Sequence, residues 1–351
     1  MVLSRAVYDN GGYLLLGNGS KLDQESLHAL AIYGVGEVII QDPRVADITV
    51  QPLVPPELEA EVTQCLRQLI TESQGNAFIE DELLKDIERA VYSMVRESFP
   101  AVVGEANVTG CPNLADYPYA QPARVACLAM LIGKKIGYDI FELTKLGLAA
   151  LLMNIGYVLV PPEAVSHPDS LQEKILQDIP RHAQRGGEIL AQHPHLGKDV
   201  MEAVEQHHER WDGSGYPARL KGTEICAFAR IIAIADTYYE LVSVQADREG
   251  YMPHEAAEFI LAWSGSLFDQ EFVHIFSRLV PLYPTGMTVK LNSGEVGIVI
   301  DANLGHIARP VIRVCTTGSF PSRPYSINLS EAAYQDKLVV EIDPYLPLPE
   351  E

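Results

Sequence analysis

The alternation of apolar and polar positions changes character three times along the chain. Residues 8–50 read as a small α/β unit. Tyr13-Leu14-Leu15-Leu16 and Glu37-Val38-Ile39-Ile40 are short β-type runs bounded by glycines. Between them, Leu22 to Tyr33 has helical spacing, with Asp23 placed to cap it. The Pro-rich stretch Gln51 to Pro56 reads as a linker. From Glu57 onward apolar residues recur every three or four positions, which predicts helices over 57–72 and 79–98. A looser stretch, Pro100 to Tyr119, leads into the main body. From Gln121 to about Leu282 the period is almost all helical, with candidate helices over 123–136, 140–154, 171–179, 183–192, 198–210, 225–242, 253–262 and 269–279. From Gly286 to Glu341 the pattern turns to short β-type runs at 287–291, 296–300, 311–314 and 337–340, with Asn292-Ser293-Gly294-Glu295 as a hairpin turn. The expected protein is mainly α. It has an α/β unit over 1–52, connecting helices over 57–98, a helical domain over 100–284 and a β-rich extension over 285–345.

Composition narrows the partners. A chain of 351 residues with 47% hydrophobic and 21% charged residues is that of a folded multi-domain protein. Its net charge of -21 argues against nucleic acid and anionic membranes, which need a cationic surface. Any anionic ligand must therefore be held by local cations or metal. The five cysteines are scattered without a CxxC pair and read as reduced residues of a cytoplasmic protein. No apolar run follows Met1 to Arg5, so no signal peptide is expected. Leu146 to Val160, the most apolar stretch, is short and interrupted by Asn154 and Gly156. It reads as a buried helix end rather than a membrane span.

The densest chemistry lies at 207–217, His-His-Glu-Arg-Trp-Asp-Gly-Ser-Gly-Tyr-Pro. Adjacent imidazoles point in different directions and can serve two metals, or one metal and one anion. Neutral imidazole suits Zn, Fe and Mn. Gly213 and Gly215 let backbone approach a ligand closely, and Pro217 fixes its own φ. Downstream, Asp236 ends the apolar run Ala229 to Ala235, so its carboxylate faces inward and needs a metal or a cation. Upstream, His182 stands near Gly186-Gly187 at a helix start. His182, His207, His208 and Asp236 on separate helices are a sensible metal set for a helical bundle. His193-Pro194-His195 reads as a surface turn, Trp211 as a packing residue of the loop, and the remaining histidines lack partners at useful spacing.

This order and spacing resembles the HD-GYP family of the HD superfamily, helical metal-dependent hydrolases of cyclic di-GMP. The resemblance rests on His182 with Gly186, the run His207 to Pro217, Leu220, Gly222, Ile225 and Ala229 to Asp236, and covers roughly 121–297. It implies an HD-type helical bundle, a metal centre at His182, His207, His208 and Asp236, and a ligand loop of Gly213, Gly215, Tyr216 and Pro217.

The chain departs from the family in the first half of the motif. Where the family reads Leu-Leu-His-Asp-Ile-Gly-Lys, this chain has Leu151-Leu152-Met153-Asn154-Ile155-Gly156-Tyr157. An earlier family His falls at Gln121, and the two phosphate-holding cations beyond Asp236 fall at Gln245 and Arg248. A two-metal phosphodiesterase needs ions about 3.5–4 Å apart, and a bridging carboxylate to hold them. The carbonyl of Asn154 is a weak substitute, and the thioether of Met153 has little affinity for hard ions. The residues that remain fit one divalent ion (Fe, Mn or Zn) or none. The expected function is a catalytically impaired member of cyclic di-GMP signalling. It would act by sensing cyclic di-GMP or its linear product, or through partner signalling proteins, with a homodimer through 57–98. The alternative is an active phosphodiesterase with a rebuilt centre that recruits Asp116, Tyr117 or Tyr157.

Overall fold

The structure is a computed structural model. It describes residues 1–4, 6–8, 14–33, 35, 38, 40–48, 55–98, 117–160, 179–243, 250–317 and 320–342. The predicted helix over 171–179, Gln245, Arg248 and Asp116 lie outside the described residues, apart from Ile179. Among the described residues there are ten α-helices and two antiparallel sheets.

The N-terminal part pairs β1 (Val7–Tyr8) with β2 (Leu14–Leu16), followed by α1 (Gln24–Ile32). Asp23 caps α1 as expected. Its carboxylate accepts from the Ser26 amide at 2.8 Å, and the Ser26 hydroxyl accepts from the Asp23 amide at 2.8 Å. Of the second predicted run, Ile40 forms an isolated antiparallel bridge with Leu3. Leu3, Leu22 and Leu30 form a small core of their own.

The main core belongs to the helices. α2 (Pro56–Glu72) and α3 (Asp81–Ser93) place Val62, Leu66, Leu69, Leu84 and Ile87 in it, at the helical spacing that the sequence shows. α4 (Tyr117–Ile136) and α5 (Ile140–Leu152) pack against each other, and α4 also packs against α2 and against α8 (Ala227–Val242). Residues 120–132 of α4 are buried on every side except at Arg124, and α8 is buried continuously from Ile231 to Tyr239. Apolar on all faces, these two helices are the centre of the molecule. Around them stand α6 (His182–Leu190), α7 (Lys198–Gln206), α9 (Pro253–Ala262) and α10 (Gln270–Phe276).

Helix ends differ from expectation by up to six residues, and two of the differences bear on the site. α4 begins at Tyr117 rather than Ala123 and runs through Pro122, because Ala120, Gln121 and Pro122 are drawn into the core. α7 ends at Gln206 rather than Arg210, because the chain turns back and the Tyr216 amide donates to the His208 carbonyl at 3.3 Å. Residues 140–159 are, by length and composition, apolar enough to cross a membrane, but 67% of the most apolar 18-residue window in that stretch is buried within the molecule, as α5 and a following 3-10 turn.

The C-terminal sheet has the order β6-β5-β4-β3-β7, with β3 (Thr288–Leu291), β4 (Glu295–Asp301), β5 (Val311–Thr317), β6 (Phe320–Asn328) and β7 (Val339–Ile342). The hairpin turn between β3 and β4 stands where expected, with Gly294 at φ 87°. β6 was not predicted, since Pro321 and Pro324 interrupt its β pattern. A proline can stand in an edge strand, and β6 is at an edge. The sheet has its own core of Val289, Leu291, Val299, Ile312, Val314, Ile327 and Leu329. From β5, the Arg313 guanidinium donates to Asp47 at 2.9 Å and to the Arg44 carbonyl at 3.0 Å, tying the sheet to the N-terminal part.

Leu128 stands fully buried at the middle of α4. Replacing it by Ala should lower the unfolding free energy by about 2–5 kcal/mol in urea denaturation.

Candidate metal and ligand site

Five separated stretches meet at one place: the start of α4, the end of α5, the start of α6, the end of α7 with the loop that follows, and the middle of α8. They bring His182, His207 and His208 together, with one ligand atom from each within 4.8 Å of the others. His182 Nε2 and His207 Nε2 are 3.2 Å apart. His207 Nδ1 lies 2.7 Å from the Val204 carbonyl. A carbonyl can only accept, so Nδ1 carries the proton and Nε2 presents a lone pair into the cluster. His182 must then donate its Nε2–H to His207 when no ion is present. Burial pushes the His207 imidazole down to about 3, with the neighbouring His182 adding to the effect, and burial also pushes His208 strongly down. These rings are neutral near pH 7, the form that binds metal.

Two tyrosines close over the imidazoles. Tyr157 stacks on His182 at 4.3 Å between ring centroids, and Tyr216 stacks on His208 at 4.8 Å. Burial raises both phenols well above their ordinary range, so both stay protonated. Gly156 explains how α6 comes so near. A Cβ there would stand 2.0 Å from the His182 carbonyl oxygen.

Asp236 is not a member of the three-histidine group. Its Oδ1 accepts the Gln121 side-chain amide at 2.9 Å, in a buried bond between helices α4 and α8. Burial raises its carboxyl to about 7. Glu240 pushes in the same direction, and Arg210 opposes it. Met153 is fully buried and belongs to the main apolar core. Asn154, half-buried, begins the 3-10 turn that follows, and its side chain makes no capping bond.

The loop is built by its own hydrogen bonds. Glu209 is buried, and its carboxylate accepts the Ala218 amide at 2.6 Å and the Leu220 amide at 3.1 Å. Sequence reading passed over this role, although a Glu set between the His pair and a Gly-rich turn is a natural acceptor for loop amides. Gly213 has φ 80°, and a Cβ on Gly215 would meet the Arg210 amide nitrogen at 2.4 Å. Both glycines are thus required by the packing of the loop itself. The Tyr216–Pro217 peptide is cis. Trp211 lies against Arg230, whose Cζ is 5.7 Å from the ring centroid, so it is a packing residue as expected. Arg210 has a buried Nη1 with no hydrogen-bond partner. Tyr117 opens α4.

His193 departs from the expected surface turn. It is 2% exposed, with Phe78 against its ring at 5.2 Å. The cause is the 74–80 segment, which the Gln192 side-chain amide fastens by donating to the Ala77 carbonyl at 2.7 Å.

Residues 111–272 match the HD-domain family model. A cyclic di-GMP phosphodiesterase of Pseudomonas aeruginosa is 28% identical over 226 residues, which are 64% of this chain and 54% of that protein. A cyclic di-GMP phosphodiesterase response regulator of Xanthomonas campestris is 32% identical over 157 residues, covering 44% of this chain and 41% of that protein. The chain therefore spans about half the length of these relatives. The structure of an HD-GYP-like protein from Bdellovibrio bacteriovorus aligns with 79% of this chain and 94% of its own at a TM-score of 0.50 and 17% identity, a likeness of fold.

Two outcomes follow from this geometry. Gly156→Ala should destabilise the protein by about 1–3 kcal/mol, since the new Cβ meets backbone and not a movable side chain, and the thermal midpoint will show it. The second concerns Asp236 in chelator-treated protein. With a folded pKa near 7 and an ordinary unfolded value of 3.8, the folded state binds the extra proton between those limits. Stability from this group is therefore full below about pH 4 and is lost as pH rises through 7. Asp236→Asn removes the penalty while keeping an oxygen for Gln121. Its stability relative to the parent should rise on the order of 2–4 kcal/mol between pH 4 and pH 8 in urea titrations. A difference that does not change with pH would refute the assignment.

Proposed function

We propose that this chain, whose residues 111–272 match the HD-domain family model and which is similar to cyclic di-GMP phosphodiesterases, is a degenerate HD-GYP protein that binds cyclic di-GMP or its linear product with hydrolysis lost or strongly impaired. It acts as a sensor, or through contacts with partner signalling proteins. The observation that carries this reading is the hydrogen bond from Gln121 to Asp236. An amide occupies the carboxylate that the resemblance assigns to a metal.

The donor set fits one divalent ion. His182, His207 and His208 would hold it, as neutral imidazoles suited to Fe, Mn or Zn. A second ion does not fit, because it needs a bridging carboxylate and Asn154 provides none. Met153 is committed to the apolar core. One bound ion would supply Lewis-acid polarisation of a phosphate oxygen. The chain itself supplies the other groups. Arg210 offers an unpartnered N–H beside the imidazoles, an asset for an anionic ligand in a protein of net charge -21. Tyr157 and Tyr216 cover the imidazoles with aromatic faces. Gly213, Gly215, Tyr216, Pro217 and Arg248 are assigned to the ligand, and Gln245 marks a lost phosphate anchor. The scattered cysteines support a cytoplasmic place for this role. The division into an N-terminal unit, connecting helices, helical domain and β extension suits a protein that passes on a signal, with the connecting helices as the face for a homodimer.

The test is metal content after anaerobic purification, joined to chromatography of cyclic di-GMP incubated with the protein. At most one divalent ion is expected at the three-histidine site, counted as the metal lost from the parent on His182→Ala, with the nucleotide bound and recovered intact. Near two ions lost in that comparison, with turnover by the parent, would overturn the proposal in favour of a rebuilt, active centre. In the same assay, Gln121→His with Met153→His and Asn154→Asp should add about one ion per chain to the parent's content.

A further inference from the structure

A second group of metal donors lies away from the three-histidine site. Asp81 is the first residue of α3, and His193 and His195 lie in the turn between α6 and α7. One ligand atom from each lies within 4.8 Å of the others. His193 Nδ1 is 2.9 Å from Asp81 Oδ1, and the His193 and His195 rings stand edge to face with centroids 5.9 Å apart.

We propose that Asp81, His193 and His195 form a binding site for a single zinc-like divalent ion, which clasps the α2–α3 hairpin to the α6–α7 corner. The donor chemistry is right: two imidazoles and one carboxylate are a common zinc set, with a fourth place open to water. The charge is right too, since the carboxylate offsets part of the ion's charge. Bonds of about 2.0–2.1 Å to a tetrahedral ion set its ligand atoms about 3.4 Å apart. The three donors must therefore draw in slightly. Asp81 and His195 are exposed and free to do so, while the buried His193 is the fixed point.

The frame around the site is already rigid. The Gly75 amide donates to the Val158 carbonyl at 2.7 Å, and the Gln74 side chain donates to the Val158 and Val160 carbonyls at 3.1 and 2.9 Å. Gln192 holds Ala77 from the other side. The segment that carries Asp81 is thus fastened to the helical body before any ion binds, and the donors meet without large loss of chain freedom. A further observation points to the same place. His193 is nearly fully buried, Asp81 is its hydrogen-bonding partner, and its Nε2 has none. A buried imidazole that spends its polar capacity on one surface carboxylate is poised for an ion between them.

This site does not depend on the function proposed above, and its test separates the two. The full chain is stripped with chelator and equilibrated with Zn(II) alone, and bound zinc is counted by mass spectrometry of the elements. The comparison is between the parent, Asp81→Asn/His195→Ala and His182→Ala. Both residues of the double variant are exposed, so folding is preserved, and an unchanged thermal midpoint of the stripped variant verifies this. The expected result is one zinc per chain fewer in the double variant than in the parent, with that zinc retained in His182→Ala. Zinc should also raise the thermal midpoint of His182→Ala and fail to raise it when Asp81→Asn/His195→Ala is added. Equal zinc in the parent and the double variant would overturn the proposal and leave Asp81 and His193 as a simple hydrogen-bonded pair.

Discussion

Asp236 sets the terms for the rest of the molecule. A carboxylate in the middle of α8, the most enclosed helix, cannot stand alone, because a buried charge without a partner is too costly. The protein meets this cost with a neutral donor. Gln121, on the neighbouring central helix, turns its amide onto one carboxylate oxygen. An amide stabilises either protonation state of the acid, whereas a dication would demand the anion. The two central helices are therefore joined by a bond that tolerates the absence of metal. The imidazoles follow the same logic. His207 is held by the Val204 carbonyl and can accept from His182, so the cluster satisfies itself internally.

Much of this was legible in the sequence because periodicity reports burial. The helical main body, the β hairpin at Asn292 to Glu295 and the cap at Asp23 all have local causes. The meeting of His182, His207 and His208 came from spacing and resemblance together. Other features were not legible, because they depend on contacts between distant segments. The Gln121–Asp236 bond spans 115 positions. The burial of His193 depends on residues 74–80, which nothing near His193-Pro194-His195 foretells. β6 was hidden by its prolines, since an edge strand relaxes the pattern that a central strand must keep. Glu209 was seen as an acid and not as the anchor of a loop, because its partners are backbone amides that carry no sequence mark.

The residues at positions 153, 156 and 157 each have a packing role at the site. Met153 turns into the apolar core, where a flexible thioether packs well. Tyr157 lies flat on His182 and excludes solvent from one side of the imidazoles. Gly156 keeps its purpose, because the approach of α6 leaves no room for a side chain.

The seating of Trp211 has a practical consequence. The chain has two tryptophans, and Trp211 is half-buried in the loop beside the imidazoles, under the Arg230 guanidinium and close to Gly222. Its amide donates to the Leu267 carbonyl at 3.0 Å, and its carbonyl accepts from Gly222 at 2.9 Å. The Trp211 backbone is therefore tied to Gly222 at the end of the loop and to the turn before α10. The indole emission should report on the loop's internal order as a native optical probe, read against Trp263 on α9's far end, without any label being added to the protein.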